Sequence, residues 1–178
     1  SQDGLDWNRD KWSWYAKIYL RLSIIMTSFL PNKVICDNIF VKKEFQELFK
    51  TQKNRFLFIP FGSEISYYKK TDILRTMNLN KKEYILFIGR FIPDKGLHYL
   101  IEAYQMIRNP KYKLVLIGGA PNPSNYEIQI YNNKSENILM PGFLYGDDLA
   151  TILEHTLLYI QPSDIEGLSP MILQVLGM

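Results

Sequence analysis

The sequence of 178 residues contains one cysteine and two histidines. Cys36 lies in a short apolar run, where a buried thiol is favoured over a redox or metal-binding role, and this indicates a reducing compartment. His98 and His155 are far apart along the chain, and no carboxylates with ligand spacing stand near the most cationic loop. We therefore predict no metal site, and we expect both histidines on helix surfaces.

The chain also lacks an apolar run of the roughly 20 residues that a membrane-spanning helix needs, and its first residues do not form a cleavable signal. Its 21 lysines and arginines against 18 aspartates and glutamates give a net charge of +3 without a basic block. Duplex nucleic acid is therefore a poor candidate partner, whereas anionic phosphates and lipid headgroups are compatible. We predict a cytoplasmic protein, either soluble or peripheral at the inner face of the membrane.

With 47% hydrophobic and 22% charged residues, the chain has enough apolar sequence for one globular domain and a further segment. Residues 9–30 carry apolar side chains at helical spacing, and Pro31 ends that helix. Trp12 and Trp14 near its start fit two alternatives. The helix either packs on a neighbouring domain or lies on a membrane surface.

Beyond this helix, short apolar segments alternate with amphipathic ones. Strands are predicted at residues 33–36, 56–59, 84–88, 113–117, 137–140 and 157–160, and helices at 41–50, 95–108, 125–131, 147–155 and from 169 to the end. This alternation indicates an α/β fold with a doubly wound parallel sheet, which binds ligands at the carboxyl ends of its strands. The turn-rich segment 60–82 is interpreted as an interdomain connector. Because both ends look cut, we expect a fragment of a longer protein.

Three predicted strand-to-helix transitions carry the candidate chemistry. The first contains Gly89, Arg90 and Lys95, where two cations and the amides of a helix start would bind a diphosphate. The alternative is a pair of solvated loop cations. The second contains Gly118 and Gly119, which allow a sharp turn or a close approach to a ligand.

The third transition contains Glu166, Gly167, Leu168 and Ser169. The Glu166 carboxylate can accept hydrogen bonds from sugar hydroxyls, while the amides of Leu168 and Ser169 can face an anion. A surface acid that caps a helix start is the alternative explanation for Glu166.

Several motifs in order resemble the donor-binding domain of retaining glycosyltransferases of the GT-B fold, family 4, from about Phe56 to the end. They are Ile88-Gly89-Arg90 with Lys95-Gly96, Leu100-Ile101-Glu102-Ala103-Tyr104, Leu116-Ile117-Gly118-Gly119, Pro141-Gly142-Phe143, Pro162-Ser163 and Glu166-Gly167-Leu168. The resemblance implies that residues 63–178 form the Rossmann-like, C-terminal half of a GT-B fold, incomplete at its end. Residues 1–62 would then be the end of the N-terminal acceptor domain.

The resemblance also implies roles for individual residues. Arg90 and Lys95 would hold the donor diphosphate and, with Glu166, act nearest the transferred group. A Glu-x7-Glu motif would hold the donor sugar and the ribose, but Gln174 stands at its second position and lacks the charge of a glutamate. The other implied donor-binding residues are Gly89, Gly118, Gly119, Gly142, Phe143, Leu144, Gly167, Leu168 and Ser169. No metal and no cofactor beyond the nucleoside-diphosphate sugar is implied.

The run from Asp3 to Trp12, Asp-Gly-Leu-Asp-Trp-Asn-Arg-Asp-Lys-Trp, is similar to the Asp-Gly-Leu-Glu-Trp-Lys-Arg-x-Lys-Trp stretch of a rhamnosyltransferase-like subgroup. This implies a hexosyl or deoxyhexosyl transferase of bacterial polysaccharide assembly, with dTDP-rhamnose as a donor and a saccharide or lipid-linked acceptor. Two alternatives stay open, a GT-B-fold sugar-nucleotide epimerase and a non-catalytic nucleotide-sugar-binding domain. A dinucleotide-binding domain is disfavoured because no Gly-x-Gly-x-x-Gly follows the first regular strand.

Overall fold

The computed structural model describes residues 13–63, 69–119, 124–164, 166 and 169–178. The chain divides into two compact units. The first unit comprises Ser1–Ser63 with Glu166–Pro170, and the second comprises Glu64–Ile165 with Met171–Met178. That the first unit is the end of an acceptor domain stays a prediction.

The first unit is built around a parallel β-α-β element. It contains helix α1 (Trp14–Phe29), strand β1 (Val34–Cys36), helix α2 (Ile39–Leu48), a 3-10 segment (Lys50–Arg55) and strand β2 (Phe56–Phe58), with β1 parallel to β2. The Asn38 side chain accepts a hydrogen bond of 2.8 Å from the Phe40 amide and so begins α2. A small core contains Ile24, Cys36, Val41, Phe45 and Phe56. The thiol is therefore buried, as its apolar surroundings in the sequence predicted.

Helix α1 leaves much of its apolar surface exposed. Trp14, Tyr15, Tyr19 and Leu22 are each more than half exposed, while Ile24 reaches the core of the unit. Among the described residues, no helix is both long and apolar enough to cross a membrane. Residues 1–12, which include the start of the predicted helix and the Asp-Gly-Leu-Asp-Trp motif, lie outside the described part of the chain.

The second unit contains a four-stranded parallel sheet with the order β5-β4-β3-β6. Its strands are β3 (Tyr84–Arg90), β4 (Lys113–Gly119), β5 (Ile138–Gly142) and β6 (Leu158–Tyr159). Its helices are α3 (Ile73–Thr76), α4 (Leu97–Gln105), α5 (Asn125–Tyr131), α6 (Gly146–His155) and α7 (Pro170–Leu176).

Both faces of this sheet are buried. Successive residues of β3 enter different cores, with Phe87 packed beside α4 and α5 and Leu86 packed beside α6. Strand β4 alternates in the same way, with Leu116 in the first core and Val115 in the second. Each fully buried side chain of this kind contributes about 1.5–3 kcal/mol relative to exposure. The predicted doubly wound α/β fold is therefore confirmed.

Some predicted boundaries are wrong, and the differences bear on the site. Strand β3 continues to Arg90, so the arginine lies on the strand and not in the loop after it. Helix α4 begins at Leu97 instead of Lys95, because 93–95 form a 3-10 turn and Gly96 adopts a left-handed conformation with φ of 65°. The segment predicted as a connector contains α3, and its Leu79 is buried in the second unit.

The prediction that both histidines lie on helix surfaces is wrong for His155, which is only 8% exposed. Burial lowers the pKa of His155 below its ordinary value, and the Glu154 carboxylate, 3.3 Å from Nε2, opposes that shift. His98 is half-buried, and its Nδ1 lies 2.9 Å from the Tyr126 hydroxyl oxygen.

Candidate active site

The sheet register brings the first two predicted segments together at one edge. Gly89 pairs with Gly118 and Arg90 pairs with Gly119, at the last positions of β3 and β4. Ile117 pairs with Gly142, the last residue of β5. The exposed arginine therefore lies beside a glycine-rich strand end, at the carboxyl edge where doubly wound sheets bind ligands.

The loop between β3 and α4, residues 91–96, is fixed through its backbone and one aromatic ring. Phe91 is fully buried, and its amide donates to the Gly119 carbonyl at 3.2 Å. Its ring contacts Phe87 and Tyr131 with centroid separations of 6.4 and 5.8 Å. The amide of Lys95 donates to the Ile92 carbonyl at 3.0 Å. These contacts hold the main chain between the two predicted diphosphate ligands.

Gly96 marks a close approach between this loop and the segment after β6. A Cβ added there would collide with the Pro162 carbonyl oxygen, and the positive φ also disfavours other residues. The amide of Asp164 donates to the Asp94 carbonyl at 3.1 Å. Gly96 therefore lets the loop after β6 pack against residues 91–96, the cationic loop that carries Lys95.

Several backbone amides near the start of α4 already have partners within the protein. The Lys95 and Gly96 amides donate within their turn, to Ile92 and Pro93 respectively. The His98 amide donates to the Tyr126 hydroxyl at 3.3 Å. These three amides therefore have partners other than a ligand, so Arg90 and Lys95 remain the main candidate ligands of a diphosphate, and that role stays a prediction.

The glycine pair at the end of β4 is explained by close packing. Gly118 has a φ of 127°, and a Cβ at this position would collide with the Gly89 carbonyl oxygen. A Cβ on Gly119 would lie 3.1 Å from a carboxylate oxygen of Glu127 and 3.3 Å from the Phe143 ring. The pair therefore lets neighbouring segments approach each other at the strand ends, whatever its role toward a ligand.

Glu127 is a residue that the sequence analysis missed. It is 2% exposed in the first turn of α5, where its amide donates to the Ser124 hydroxyl at 3.3 Å. A serine followed three residues later by a glutamate is the pattern of a helix start, and it could have drawn attention to this position. Beside it, Phe143 is 51% exposed and stacks on Tyr145 at 6.2 Å with ring planes 5° apart. The Glu127 carboxyl and the Phe143 ring therefore border Gly119.

The remaining predicted site residues are distributed as follows. Leu144 packs partly buried against the second core, and Gln174 is partly buried on α7. Glu166 is exposed, Ser169 is buried, and both belong to the first compact unit. Gly167 and Leu168 lie outside the described residues. The convergence of Glu166 with Arg90 and Lys95 stays a prediction.

Other features of the second unit do not enter the candidate site. A groove of about 500 Å³ runs beside β6 and α7, and none of the predicted site residues lines it. Within the described ranges, no three histidine, cysteine, aspartate or glutamate side chains are grouped as a metal site would require. The carboxyl edge of the sheet remains the candidate on the basis of its charge and loop geometry.

Solved structures share this architecture. The structure of Anabaena Alr3699/HepE in complex with UDP matches with a TM-score of 0.75 and 16% identity, covering 96% of this chain and 48% of the Anabaena chain. Sucrose-phosphate synthase from Thermosynechococcus elongatus matches with a TM-score of 0.67 and 21% identity, covering 94% of this chain and 42% of the synthase chain. The protein has the Rossmann-like α/β fold of the GT-B glycosyltransferases.

The family follows from the sequence comparison. Residues 69–174 match the family described as glycosyl transferases group 1, and the chain belongs to that family. It is 35% identical over 102 residues to the uncharacterized glycosyltransferase YqgM of Bacillus subtilis, covering 55% of this chain and 27% of that relative. It is 28% identical over 138 residues to the uncharacterized glycosyltransferase MJ1178 of Methanocaldococcus jannaschii, covering 76% of this chain and 35% of that relative. The chain thus spans about a quarter to a third of these curated relatives.

Proposed function

We propose that the chain is the donor-binding part of a retaining glycosyltransferase that transfers a sugar from a nucleoside diphosphate to a saccharide or lipid-linked acceptor. The observation that carries this proposal is the in-register placement of Arg90 beside Gly119 at the carboxyl edge of the sheet. Membership of the glycosyl transferases group 1 family supports it. UDP in the complex with Alr3699/HepE supports a nucleoside diphosphate as the class of ligand.

The residue types suit the chemistry of the transfer. Breaking the bond between the anomeric carbon and the diphosphate oxygen leaves negative charge on the departing phosphate. Cations held by a fixed backbone stabilise that charge more in the transition state than in the ground state. In the proposed mechanism Arg90 and Lys95 supply this stabilisation, and no metal ion is needed to neutralise the leaving group.

Contacts to the transferred sugar and to the ribose are proposed for residues in and after the third strand-to-helix transition. We assign Glu166 to the hydroxyls of the transferred sugar and Gln174 to the ribose. An amide makes weaker hydrogen bonds to ribose hydroxyls than a carboxylate does, so Gln174 lowers donor affinity without removing the groups nearest the reacting bond.

For the donor and acceptor, we propose dTDP-rhamnose and a polysaccharide or lipid-linked chain assembled at the inner membrane face. The resemblance of residues 3–12 to a rhamnosyltransferase-like subgroup supports the donor. The exposed aromatic and aliphatic side chains of α1, together with Lys17 and Arg21, are compatible with peripheral membrane contact.

A panel of nucleoside diphosphates and nucleotide sugars, measured by thermal shift on the full-length protein, tests the proposal. Selective binding raises the apparent melting temperature by mass action. The expected result is stabilisation by one nucleoside diphosphate and its sugar, followed by sugar transfer when acceptor is added. Binding with neither donor hydrolysis nor transfer would instead support a non-catalytic nucleotide-binding domain, which the glutamine at 174 favours.

A further inference from the structure

The Tyr126 hydroxyl connects two segments of the candidate site. Tyr126 lies on α5, which follows β4, whereas His98 lies in the first turn of α4, directly after the cationic loop. The hydroxyl oxygen is 2.9 Å from Nδ1 of His98 and accepts the His98 amide at 3.3 Å. The two rings meet edge to face at 5.7 Å, with planes 88° apart. One side chain therefore contacts both the backbone and the side chain of His98.

This contact replaces an ordinary helix cap. Helix α4 follows Gly96, and no side-chain hydrogen bond from that residue caps it. A hydroxyl has two lone pairs and one proton, so Tyr126 can accept the backbone amide and donate its proton to Nδ1. When the hydroxyl donates to Nδ1, the histidine proton lies on Nε2. Burial raises the pKa of Tyr126, against smaller opposite effects of hydrogen bonds from the His98 and Leu97 backbones, so the hydroxyl keeps its proton at neutral pH.

The cationic loop is thus held on two sides. On one side, the Asp164 amide bonds to the Asp94 carbonyl, and Gly96 packs against Pro162. On the other side, the loop continues into the first turn of α4, where Tyr126 binds His98. Lys95 lies between Asp94 and His98, so its backbone is held on both sides.

We propose that Tyr126 and His98 are positioning residues that orient Lys95 toward the donor diphosphate. This inference rests on the proposed function. The Tyr126 hydroxyl fixes the start of α4 from outside the helix, and the backbone that precedes it then presents Lys95 in one direction. Because Tyr126 follows the glycine-bearing strand β4, the same contact ties the cationic loop to that side of the site.

Tyr126→Phe is the direct test, because it removes the hydroxyl and keeps the ring. UDP and dTDP affinities would be measured by calorimetry on the full-length protein, with the melting temperature recorded in parallel. We expect a three- to tenfold loss of affinity for the diphosphate that binds, about the worth of one neutral hydrogen bond. His98→Leu should give a similar loss, and His98→Asn should recover part of it because its side-chain oxygen can accept the tyrosine proton.

Tyr104→Phe is the matched control. Tyr104 lies near the C-terminal end of α4, the helix that begins beside His98, and donates its hydroxyl proton to the Tyr112 carbonyl at 2.8 Å. It should lower the melting temperature without changing diphosphate affinity. Equal losses of affinity in Tyr104→Phe and Tyr126→Phe would overturn the proposal, because they would reflect general destabilisation.

A double-mutant cycle separates positioning from other effects. If Tyr126 acts through Lys95, Tyr126→Phe should cost little further affinity in a Lys95→Ala background. The same loss in both backgrounds would overturn the positioning role. If the wild-type protein binds no nucleoside diphosphate, the proposed function itself fails. If the wild type binds a nucleoside diphosphate and Tyr126→Phe binds it equally well, only the positioning role is refuted.

Discussion

Arg90 and Gly119 are in-register partners at the last positions of two neighbouring parallel strands. The Gly119 carbonyl also accepts the amide of Phe91, the residue after the arginine, at 3.2 Å. The backbone on both sides of Arg90 is therefore tied to β4. Under the proposed function this rigidity matters, because a cation that is already in place needs no reorganisation when charge develops on the leaving phosphate.

Close packing at Gly118 predicts a cost in stability. Gly118→Ala should lower the free energy of unfolding by about 1–3 kcal/mol, since it places a Cβ against the Gly89 carbonyl in a left-handed backbone conformation. Urea unfolding followed by circular dichroism measures this. Gly62→Ala is the control, because a Cβ there meets nothing within 4 Å. Similar midpoints for both variants would contradict the packing account.

The buried His155 predicts a pH dependence. Burial lowers the pKa of His155 in the folded state below its value of 6.5 in the unfolded state. As the pH falls through 6.5, the unfolded state therefore binds more protons than the folded state does. The stability associated with neutral His155 is therefore complete above pH 6.5 and is lost below it. We expect the free energy of unfolding to fall more steeply between pH 7 and 5.5 in the wild type than in His155→Gln. Parallel pH profiles would show that His155 does not contribute.

The two explanations of α1 predict different behaviour with lipid. If the helix contacts the membrane, the full-length protein should bind anionic vesicles, and Lys11→Glu, Lys17→Glu and Arg21→Glu together should release it. Sedimentation with vesicles at two salt concentrations measures this. Lys43→Glu, Lys50→Glu and Lys53→Glu together, at three exposed lysines of the same unit, form the charge-matched control. Absent or salt-insensitive binding would favour packing on another part of the protein.

The sequence predicted the second unit well because its core is regular. Consecutive apolar residues in β3 and β4 can be buried on both faces only if helices cover both faces of the sheet, which the alternation of strands and helices along the chain supplies. The start of α4 was missed because Gly96 adopts a left-handed conformation that depends on packing against Pro162. The Tyr126 contact joins residues 28 positions apart, which no local pattern reveals. The burial of His155 likewise depends on tertiary packing.

Glu166 and Gln174 should affect different ligands. Glu166→Gln should reduce sugar transfer strongly while leaving nucleoside diphosphate binding nearly intact, because that ligand lacks the transferred sugar. Gln174→Glu should tighten binding of the nucleotide sugar and of the free nucleotide alike by restoring a charged acceptor for the ribose. Paired titrations of each variant with the two ligands distinguish these patterns. Equal losses for both ligands in Glu166→Gln would assign that residue to the nucleotide.

The central claim is that Arg90 and Lys95 hold the diphosphate of the donor. Its most direct test is calorimetry of the full-length protein with the nucleoside diphosphate that stabilises it, in the wild type, Arg90→Ala and Lys95→Ala. Each variant should bind about ten- to hundredfold more weakly, since each loses a charged hydrogen bond. Arg108→Ala, an exposed arginine beyond the end of α4, should bind like the wild type. Unchanged affinity in both Arg90→Ala and Lys95→Ala would contradict the account.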